Sequence, residues 1–99
     1  MYKSVLLPLA KSDILEAAQW YSQRQTGLGK RFTEQVRKTV SFIRKNPTAV
    51  AIRYDNTRTA VLEVFPYMIH FTIDEAQKLI IISAVLSTSR DPKLWKERK

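Results

Sequence analysis

Residues 27–47 read GLGKRFTEQVRKTVSFIRKNP and contain the features that decide the fold, a short glycine turn and a long amphipathic segment. At about 100° per residue, one side of a helix here collects the apolar side chains Phe32, Val36, Val40 and Ile43. The opposite side collects the basic side chains Lys30, Arg31, Arg37, Lys38, Arg44 and Lys45. Asn46-Pro47 ends the helix, because the residue before a proline disfavours the α region. The pattern predicts a helix with one buried face and one basic, solvent-exposed face.

A second helix is predicted just before this stretch. Ser12 or Asp13 can cap its start, and Asp13-x-x-Glu16 has the spacing of a capping box. A single apolar stripe follows at Ile14, Ala17, Ala18 and Tyr21, and the helix ends near Gly27. Because the GLG connection is so short, the two helices should pack side by side as an αα-hairpin.

The rest of the chain has the pattern of β-strands. Residues 2–9 are apolar and predict a first strand, with Pro8 near its exit, and residues 50–54 and 58–65 predict two more. In YMIHFTID, residues 67–74, Tyr67, Ile69, Phe71 and Ile73 point one way, which is typical of a half-buried strand. LIIISAVL at 79–86 is apolar on both faces and predicts a central strand. The order β-αα-βββ(β) predicts an α+β domain, with a helical hairpin packed on a mostly antiparallel twisted sheet.

Length and composition predict one folded domain over residues 1–99, with a basic C-terminal tail from about residue 88. The 99 residues are 44% apolar and contain only two glycines, which argues against a disordered chain. The absence of cysteine excludes disulfides, thiolate metal sites and a cysteine nucleophile, and fits a reducing cytoplasm. The longest apolar run is less than half of the ~20 residues that cross a bilayer, so no membrane span is expected.

The charge balance predicts an acidic partner without naming its class. Seventeen Lys and Arg against nine Asp and Glu give a formal charge of +8, which favours encounter with DNA, RNA or an acidic polypeptide. Glu34 is the only acidic residue among residues 30–45, so the basic helix face is weakly neutralised. Direct nucleic-acid binding is disfavoured, because no aromatic residues interleave with the basic ones and no recognition motif is present.

The sequence shows no pattern that is typical of a metal or cofactor site. A single histidine, His70, has no carboxylate at helical spacing from it, and the GLG turn lacks the spacing of a nucleotide loop. His70 lies on the face opposite Ile69 and Phe71, where a hydrogen-bonded or exposed surface histidine is the commoner interpretation and acid/base chemistry the alternative.

A second basic set consists of Arg53, Arg58, Arg90 and Arg98. These arginines could bind phosphate or carboxylate groups, although solvent-exposed arginines at strand ends are commoner. Trp95 either packs on the domain or anchors a partner. The candidate binding residues are therefore Arg53, Arg58, His70, Arg90, Trp95 and Arg98, and no catalytic residue is predicted.

Four stretches in this order resemble the RelE/ParE superfamily of bacterial toxins from type II toxin–antitoxin systems. They are DILEAAQWY at 13–21, GLGKRF at 27–32, RTAVLEVFPYMIHFTID at 58–74 and SRDPKLWKER at 89–98. The resemblance covers nearly the whole chain and implies a toxin of the plasmid stabilisation type with this superfamily's fold.

The branch of the superfamily follows from three positions. The mRNA-cleaving branch carries an arginine after the aromatic residue of the FPY-like strand, where this chain has Met68. It carries a basic residue past the last strand and a terminal Tyr or His, where this chain has residues 87–89 (STS) and Leu94-Trp95. A methionine cannot neutralise a phosphate, so the resemblance implies the ParE branch, which inhibits DNA gyrase and is not expected to be an enzyme.

Two alternatives stay open beside a gyrase inhibitor. One is a ribosome-dependent mRNA endonuclease with an unorthodox site made of Arg58, Arg90 and His70, and the other is a non-toxic interaction module. The resemblance also implies a cognate acidic antitoxin that wraps the toxin, and a charge of +8 would steer it to its site. Whether the chain forms a homodimer or a toxin–antitoxin hetero-oligomer is left open.

Overall fold

The computed structural model describes residues 1–90 and 92–94. The elements are β1 (Lys3–Leu6), α1 (Pro8–Arg24), α2 (Leu28–Lys45), β2 (Ile52–Tyr54), β3 (Thr57–Val61), β4 (Tyr67–Asp74) and β5 (Leu79–Ser87). Short 3₁₀ turns lie at Pro47–Ala49 and Pro92–Leu94. The predicted α+β order is confirmed, with four strands after the helical hairpin.

The five strands form one sheet in the order β1-β5-β4-β3-β2. Every neighbouring pair is antiparallel except β1 and β5, which run parallel. The predicted central position of β5 is confirmed, because it pairs with β1 on one side and β4 on the other.

The start of α1 differs from the prediction. The helix begins at Pro8, and the strand before it ends at Leu6. Proline suits the first turn of a helix, because its φ is already helical and an N–H there has no intrahelical acceptor. The predicted capping box is therefore wrong: Asp13 lies inside the helix, and its Oδ2 accepts the Val85 N–H of β5 at 3.0 Å.

The predicted αα-hairpin is confirmed, but α2 already begins at Leu28, so Gly27 lies in the turn and Gly29 lies inside the helix. Gly27 has a φ of 82°, a left-handed conformation that glycine adopts without strain. Gly29 lies where α2 presses on α1: a Cβ there would stand 2.1 Å from Ser22 Oγ and 2.3 Å from the Ala18 carbonyl oxygen. The hairpin closes this tightly because residue 29 has no side chain.

The main core lies between the two helices and one face of the sheet. Phe32 of α2 is fully buried, and its ring centroid lies 5.2 Å from that of Phe65 and 5.1 Å from that of Tyr67. Tyr21 of α1 stacks on the same ring at 5.5 Å. The apolar stripes predicted for both helices therefore meet in one aromatic centre.

The other face of the sheet is also buried along β4, where the sequence predicts a half-buried strand. Met68, Ala84 and Leu86 form a second apolar cluster, against which Tyr54 packs. A β-bulge makes this cluster possible: His70 pairs with Ala84 and Phe71 with Ile82, so no residue of β4 stands opposite Ser83 in the register. The extra residue turns Ala84 and Leu86 away from the helices, and the prediction of exposure on this face is wrong.

Candidate functional site

The exposed side of α2 forms a basic ridge, here defined as Lys30, Arg31, Arg37, Lys38, Arg44 and Lys45. Five of these side chains are exposed, and Arg44 is half-buried because its Nε donates to the Tyr2 carbonyl at 2.9 Å. The opposite side of the helix buries Phe32, Val36 and Ile43. The division of α2 into an apolar and a basic face is therefore confirmed.

One flank of the ridge borders a groove between α2 and β1, here called the β1 groove, with a volume of about 480 Å³. Its apolar lining comes from Leu6, Ile14, Val36 and Val40, and its basic lining from Arg37 and Arg44. An apolar groove with two guanidinium groups has the chemistry to hold an amphipathic segment that carries acidic side chains.

The β1 groove runs along the edge of the sheet. The N–H groups of Lys3 and Leu7 donate to the carbonyls of Lys78 and Ile82, on the side of β5. Because backbone groups alternate in direction along a strand, those of Ser4 and Leu6 point away from β5. β1 is the last strand of the sheet, so this edge can accept a further strand.

The other flank of the ridge borders a groove between α2 and β3, here called the β3 groove, with a volume of about 390 Å³. Its lining residues are Gln35, Lys38, Thr39, Phe42, Val61 and Glu63. Phe42 is 50% exposed and Val61 is 59% exposed. Sequence analysis missed this surface, although the place of Phe42 outside the apolar stripe of α2 was a signal of it.

A third groove, of about 400 Å³, lies between α1 and the ends of β4 and β5. Arg90, predicted from the sequence as a binding residue, is exposed and lines it together with Asp13, Glu16 and Trp20. Tyr21 also lines it, and burial, followed by the nearby Tyr67, raises the pKa of its phenol above the usual 10.0. The groove joins one arginine to two carboxylates, so its lining has one more acidic than basic side chain.

His70 lies on the face of the sheet opposite the helices and is fully buried. Its Nδ1 is hydrogen-bonded to the Tyr54 hydroxyl at 3.0 Å. The prediction of a hydrogen-bonded histidine is confirmed and that of an exposed one is wrong, because Tyr54 of the neighbouring hairpin packs beside it.

Arg58 points to the opposite side of the sheet from His70. It pairs with Phe71 of the main core, and its guanidinium donates to the Val50 carbonyl. His70 pairs instead with Thr59. Because side chains alternate along a strand, Arg58 and His70 do not meet, and the structure does not assemble the unorthodox site of Arg58, Arg90 and His70.

The remaining predicted residues lie at the margins of the fold. Arg53 is exposed on β2 at a second bulge, where Ile52 pairs with Arg58 and Tyr54 with Thr57. Trp95 and Arg98 lie outside the described residues. Within residues 1–90 and 92–94, no group of three His, Cys, Asp or Glu side chains is placed to hold a metal ion. None of the helices in this part of the chain has the length and apolar character to cross a membrane.

The structure describes two of the three positions at which the mRNA-cleaving branch carries its catalytic groups. Met68 is 3% exposed and packs in the second apolar cluster. Just past β5, the hydroxyls of Ser87 and Ser89 are hydrogen-bonded to each other at 2.9 Å, and the Ser89 N–H donates to Ser87 Oγ. The described part of this surface therefore offers thioether and hydroxyl groups at two of these positions.

A helical hairpin on one face of a five-stranded mixed sheet defines the class of fold found in chains of bacterial toxin–antitoxin systems. The structure matches a chain of the chromosomal ParDE system from P. aeruginosa with a TM-score of 0.73 and 18% identity, covering 88% of this chain and 96% of that chain. It matches a chain of the intact E. coli RelBE complex with a TM-score of 0.65 and 16% identity, covering 91% of this chain and 100% of that one. The isolated E. coli RelE toxin matches with a TM-score of 0.65 and 15% identity, over 98% of this chain and 95% of that one. At these identities the similarity establishes the fold alone.

The sequence identifies the family within this class. The sequence model of the ParE toxin of type II toxin–antitoxin systems, parDE, matches residues 5–92. The chain therefore belongs to the ParE toxin family, and the resemblance seen in the sequence is confirmed. No curated protein shows significant sequence similarity to the chain.

Proposed function

We propose that this protein is a cytoplasmic toxin that inhibits DNA gyrase and is neutralised by a cognate acidic antitoxin. The observation that carries the proposal is the burial of Met68 in an apolar cluster, at the position where mRNA-cleaving relatives carry an arginine. A cleavage site needs charged groups aimed at the phosphate as negative charge develops, and a thioether supplies none.

Energetics favour gyrase inhibition over mRNA cleavage. Removal of one group that stabilises charge in a transition state typically costs about 10²–10³ in rate. Met68, Ser87 and Ser89 are all uncharged, and the two serines bond to each other. A chain that has lost such groups keeps a binding surface more readily than a catalytic one, and inhibition of gyrase requires only binding.

The β1 groove supports an antitoxin as the second partner. An amphipathic helix could lay its apolar side on the half-buried Leu6 and Val40 and direct acidic side chains to Arg37 and Arg44. An extended segment could pair with the edge of β1 through the backbone groups of Ser4 and Leu6. The groove offers surface for both modes side by side, which suits a partner that wraps around the toxin.

The net charge of +8 supports fast capture of such a partner. Five exposed basic side chains on the ridge attract an acidic segment before contact is made, so the association rate constant should fall as salt is added. Stopped-flow mixing with the cognate antitoxin measures that dependence. An association rate constant that does not change with salt would contradict steering.

A supercoiling assay tests the gyrase proposal. Purified chain is added to bacterial DNA gyrase, relaxed plasmid and ATP, with plasmid relaxation by topoisomerase I as the enzyme control. We expect loss of supercoiling by gyrase, unchanged relaxation by topoisomerase I, and recovery of supercoiling when the antitoxin is added first. Normal supercoiling at concentrations of the chain well above that of gyrase would contradict the proposal.

A further inference from the structure

The two arginines of the β1 groove are placed in different ways. Arg44 is half-buried, and its Nε donates a hydrogen bond to the Tyr2 carbonyl at 2.9 Å. In return, the Tyr2 N–H donates to the Arg44 carbonyl at 3.4 Å. That carbonyl lies in the last turn of α2, where carbonyls have no donor within the helix. Arg37, two turns earlier on the same side of α2, is exposed. The fold therefore holds Arg44 and leaves Arg37 in solvent.

Tyr2, which holds Arg44, is itself anchored to the sheet. It packs against the main core, and its hydroxyl donates to the Glu75 carboxylate at 2.9 Å. The N–H of Lys3 donates to the Lys78 carbonyl at 3.0 Å, which bonds the start of β1 to the turn between β4 and β5. Among the described residues, the lining of the β1 groove includes Arg44 but not Tyr2. Tyr2 therefore positions Arg44 without lining the groove.

The bond to Tyr2 leaves the outer end of the Arg44 guanidinium suited to a carboxylate. It uses the Nε donor, and the other N–H donors of a guanidinium are on Nη1 and Nη2. A carboxylate can accept a pair of parallel hydrogen bonds from these two nitrogens. Because the group is already held, such a pair costs less side-chain entropy than one formed by a mobile arginine. Arg44 can thus bind one carboxylate tightly, while an exposed arginine mainly raises the association rate.

The surroundings of Arg44 fit a flexible acidic segment better than the surface of a folded protein. The β1 groove runs beside the outer edge of β1, where the backbone groups of Ser4 and Leu6 point away from the sheet. A partner pairs with such an edge only if its own backbone groups are unpaired and it can become extended. A disordered segment meets this condition, whereas a folded enzyme has already bonded most of its backbone. The edge therefore favours the antitoxin over gyrase as the occupant of this groove.

We propose that Arg44 is the anchor of antitoxin binding, with a carboxylate of the antitoxin on its Nη1 and Nη2, and that Tyr2 is the residue that positions it. The proposal rests on the proposed function, because it takes the antitoxin as the occupant of the β1 groove. It assigns the lifetime of the complex to Arg44 and only the rate of association to Arg37.

Matched substitutions of the two arginines test the anchor. Arg44→Lys and Arg37→Lys both keep the positive charge and remove the planar guanidinium, the first at the held position and the second at the exposed one. Stopped-flow mixing with the cognate antitoxin measures association and dissociation, and urea denaturation establishes that each variant is folded. We expect Arg44→Lys to raise the dissociation rate constant about tenfold and Arg37→Lys to stay within about twofold. The association rate constants should be unchanged in both, because the charge is kept.

A double-mutant cycle separates a direct contact of Arg44 from a general effect on β1. Each aspartate and glutamate in the acidic segment of the antitoxin is changed in turn to its amide and combined with Arg44→Lys. One acidic position should lose about tenfold in affinity with the original chain and much less with Arg44→Lys. A loosened β1 would instead weaken binding by the same factor with every antitoxin variant, which would contradict the contact.

Substitutions of Tyr2 test the positioning of Arg44. Tyr2→Ala removes the ring and its bond to Glu75, so the N-terminal segment should fray and release the Arg44 guanidinium. We expect faster dissociation of the antitoxin from Tyr2→Ala, and nearly unchanged dissociation from Tyr2→Phe, which keeps the ring. In a chain that already carries Arg44→Lys, Tyr2→Ala should have no further effect. Fully additive effects of the two changes would overturn the role of Tyr2.

The outcomes that contradict the anchor are distinguishable from a failure of the proposed function. Equal dissociation rate constants for Arg44→Lys and the original chain would overturn the anchor alone. Unchanged antitoxin binding by Arg44→Lys together with weaker inhibition of gyrase would assign Arg44 to the target protein. An original chain that binds no antitoxin would overturn the antitoxin part of the proposed function, and the anchor with it.

Discussion

The two faces of the sheet bury their side chains in different ways. The face toward the helices holds one continuous core in which aromatic rings from α1, α2 and β4 meet around Phe32. The opposite face holds a small cluster of Met68, Ala84 and Leu86, with His70 and Tyr54 beside it. The first face supplies most of the stability, and the second occupies with apolar atoms a place where related toxins keep charged ones.

The comparison predicts the largest loss of stability on the helix-packed face. Phe32→Ala removes a fully buried ring from the aromatic centre and should lower the free energy of unfolding by about 3–5 kcal/mol. Phe42→Ala, the same change on the exposed side of the same helix, should cost well under about 1 kcal/mol. Urea denaturation of both variants measures the difference. Similar losses in the two would contradict the described burial of α2.

A charged side chain on the face opposite the helices should lower stability where that face is buried and leave it nearly unchanged where that face is exposed to solvent. Met68→Arg would bury a guanidinium in the apolar cluster and should cost roughly 3 kcal/mol. Val61→Arg is the matched control, because Val61 pairs with Met68 across β3 and β4 but is exposed. Thermal melts of the two variants test this. A stable Met68→Arg protein would mean that this face can accept the arginine of its nuclease relatives.

The hydrogen bond between Tyr54 and His70 should make a smaller contribution. Tyr54→Phe removes the hydroxyl at 3.0 Å from His70 Nδ1 and should lower the free energy of unfolding by about 1 kcal/mol. Tyr67→Phe serves as a second hydroxyl deletion on a half-buried tyrosine that faces the other side of the sheet. A Tyr54→Phe protein as stable as the original chain would show that this contact does not hold β2 to the sheet.

The smallest expected effect is a dependence of stability on alkaline pH. Burial raises the pKa of Tyr21 above the usual 10.0, so the folded protein favours the neutral phenol. The resulting stability is fully present below pH 10.0 and is lost as the pH rises through the higher pKa of the folded state. Denaturation curves below and above pH 10.0 should show that the free energy of unfolding falls less for Tyr21→Phe than for the original chain. Equal losses in both proteins would contradict the raised pKa.

The parts of the fold with a strong period could be predicted from the sequence. The apolar and basic faces of α2 follow from residues spaced by three and four, and the GLG stretch marks the tight turn, which ends at Gly27. The two-sided apolar pattern of β5 predicted its place inside the sheet. Pro8 misled the prediction of α1, because a proline after an apolar run is equally compatible with the end of a strand and the first turn of a helix.

The candidate site was less predictable, because it depends on tertiary contacts. Bulges at Arg53 and Ser83 shift the alternation of β2 and β5, and a period of two cannot reveal an added residue. They place Tyr54 beside a buried His70, while Arg58 turns to the helices. The grooves beside α2 arise from its distance to β1 and β3, which no local pattern encodes.

The central claim is that the protein acts by occupying another protein and that its second sheet face does not cleave RNA. Primer extension on a ribosome-bound mRNA, incubated with the purified chain at concentrations that stop gyrase supercoiling, tests this claim most directly. We predict full-length extension products with no new stops at codons in the ribosomal A site. New stops at such codons, present with ribosomes and absent without them, would contradict the account.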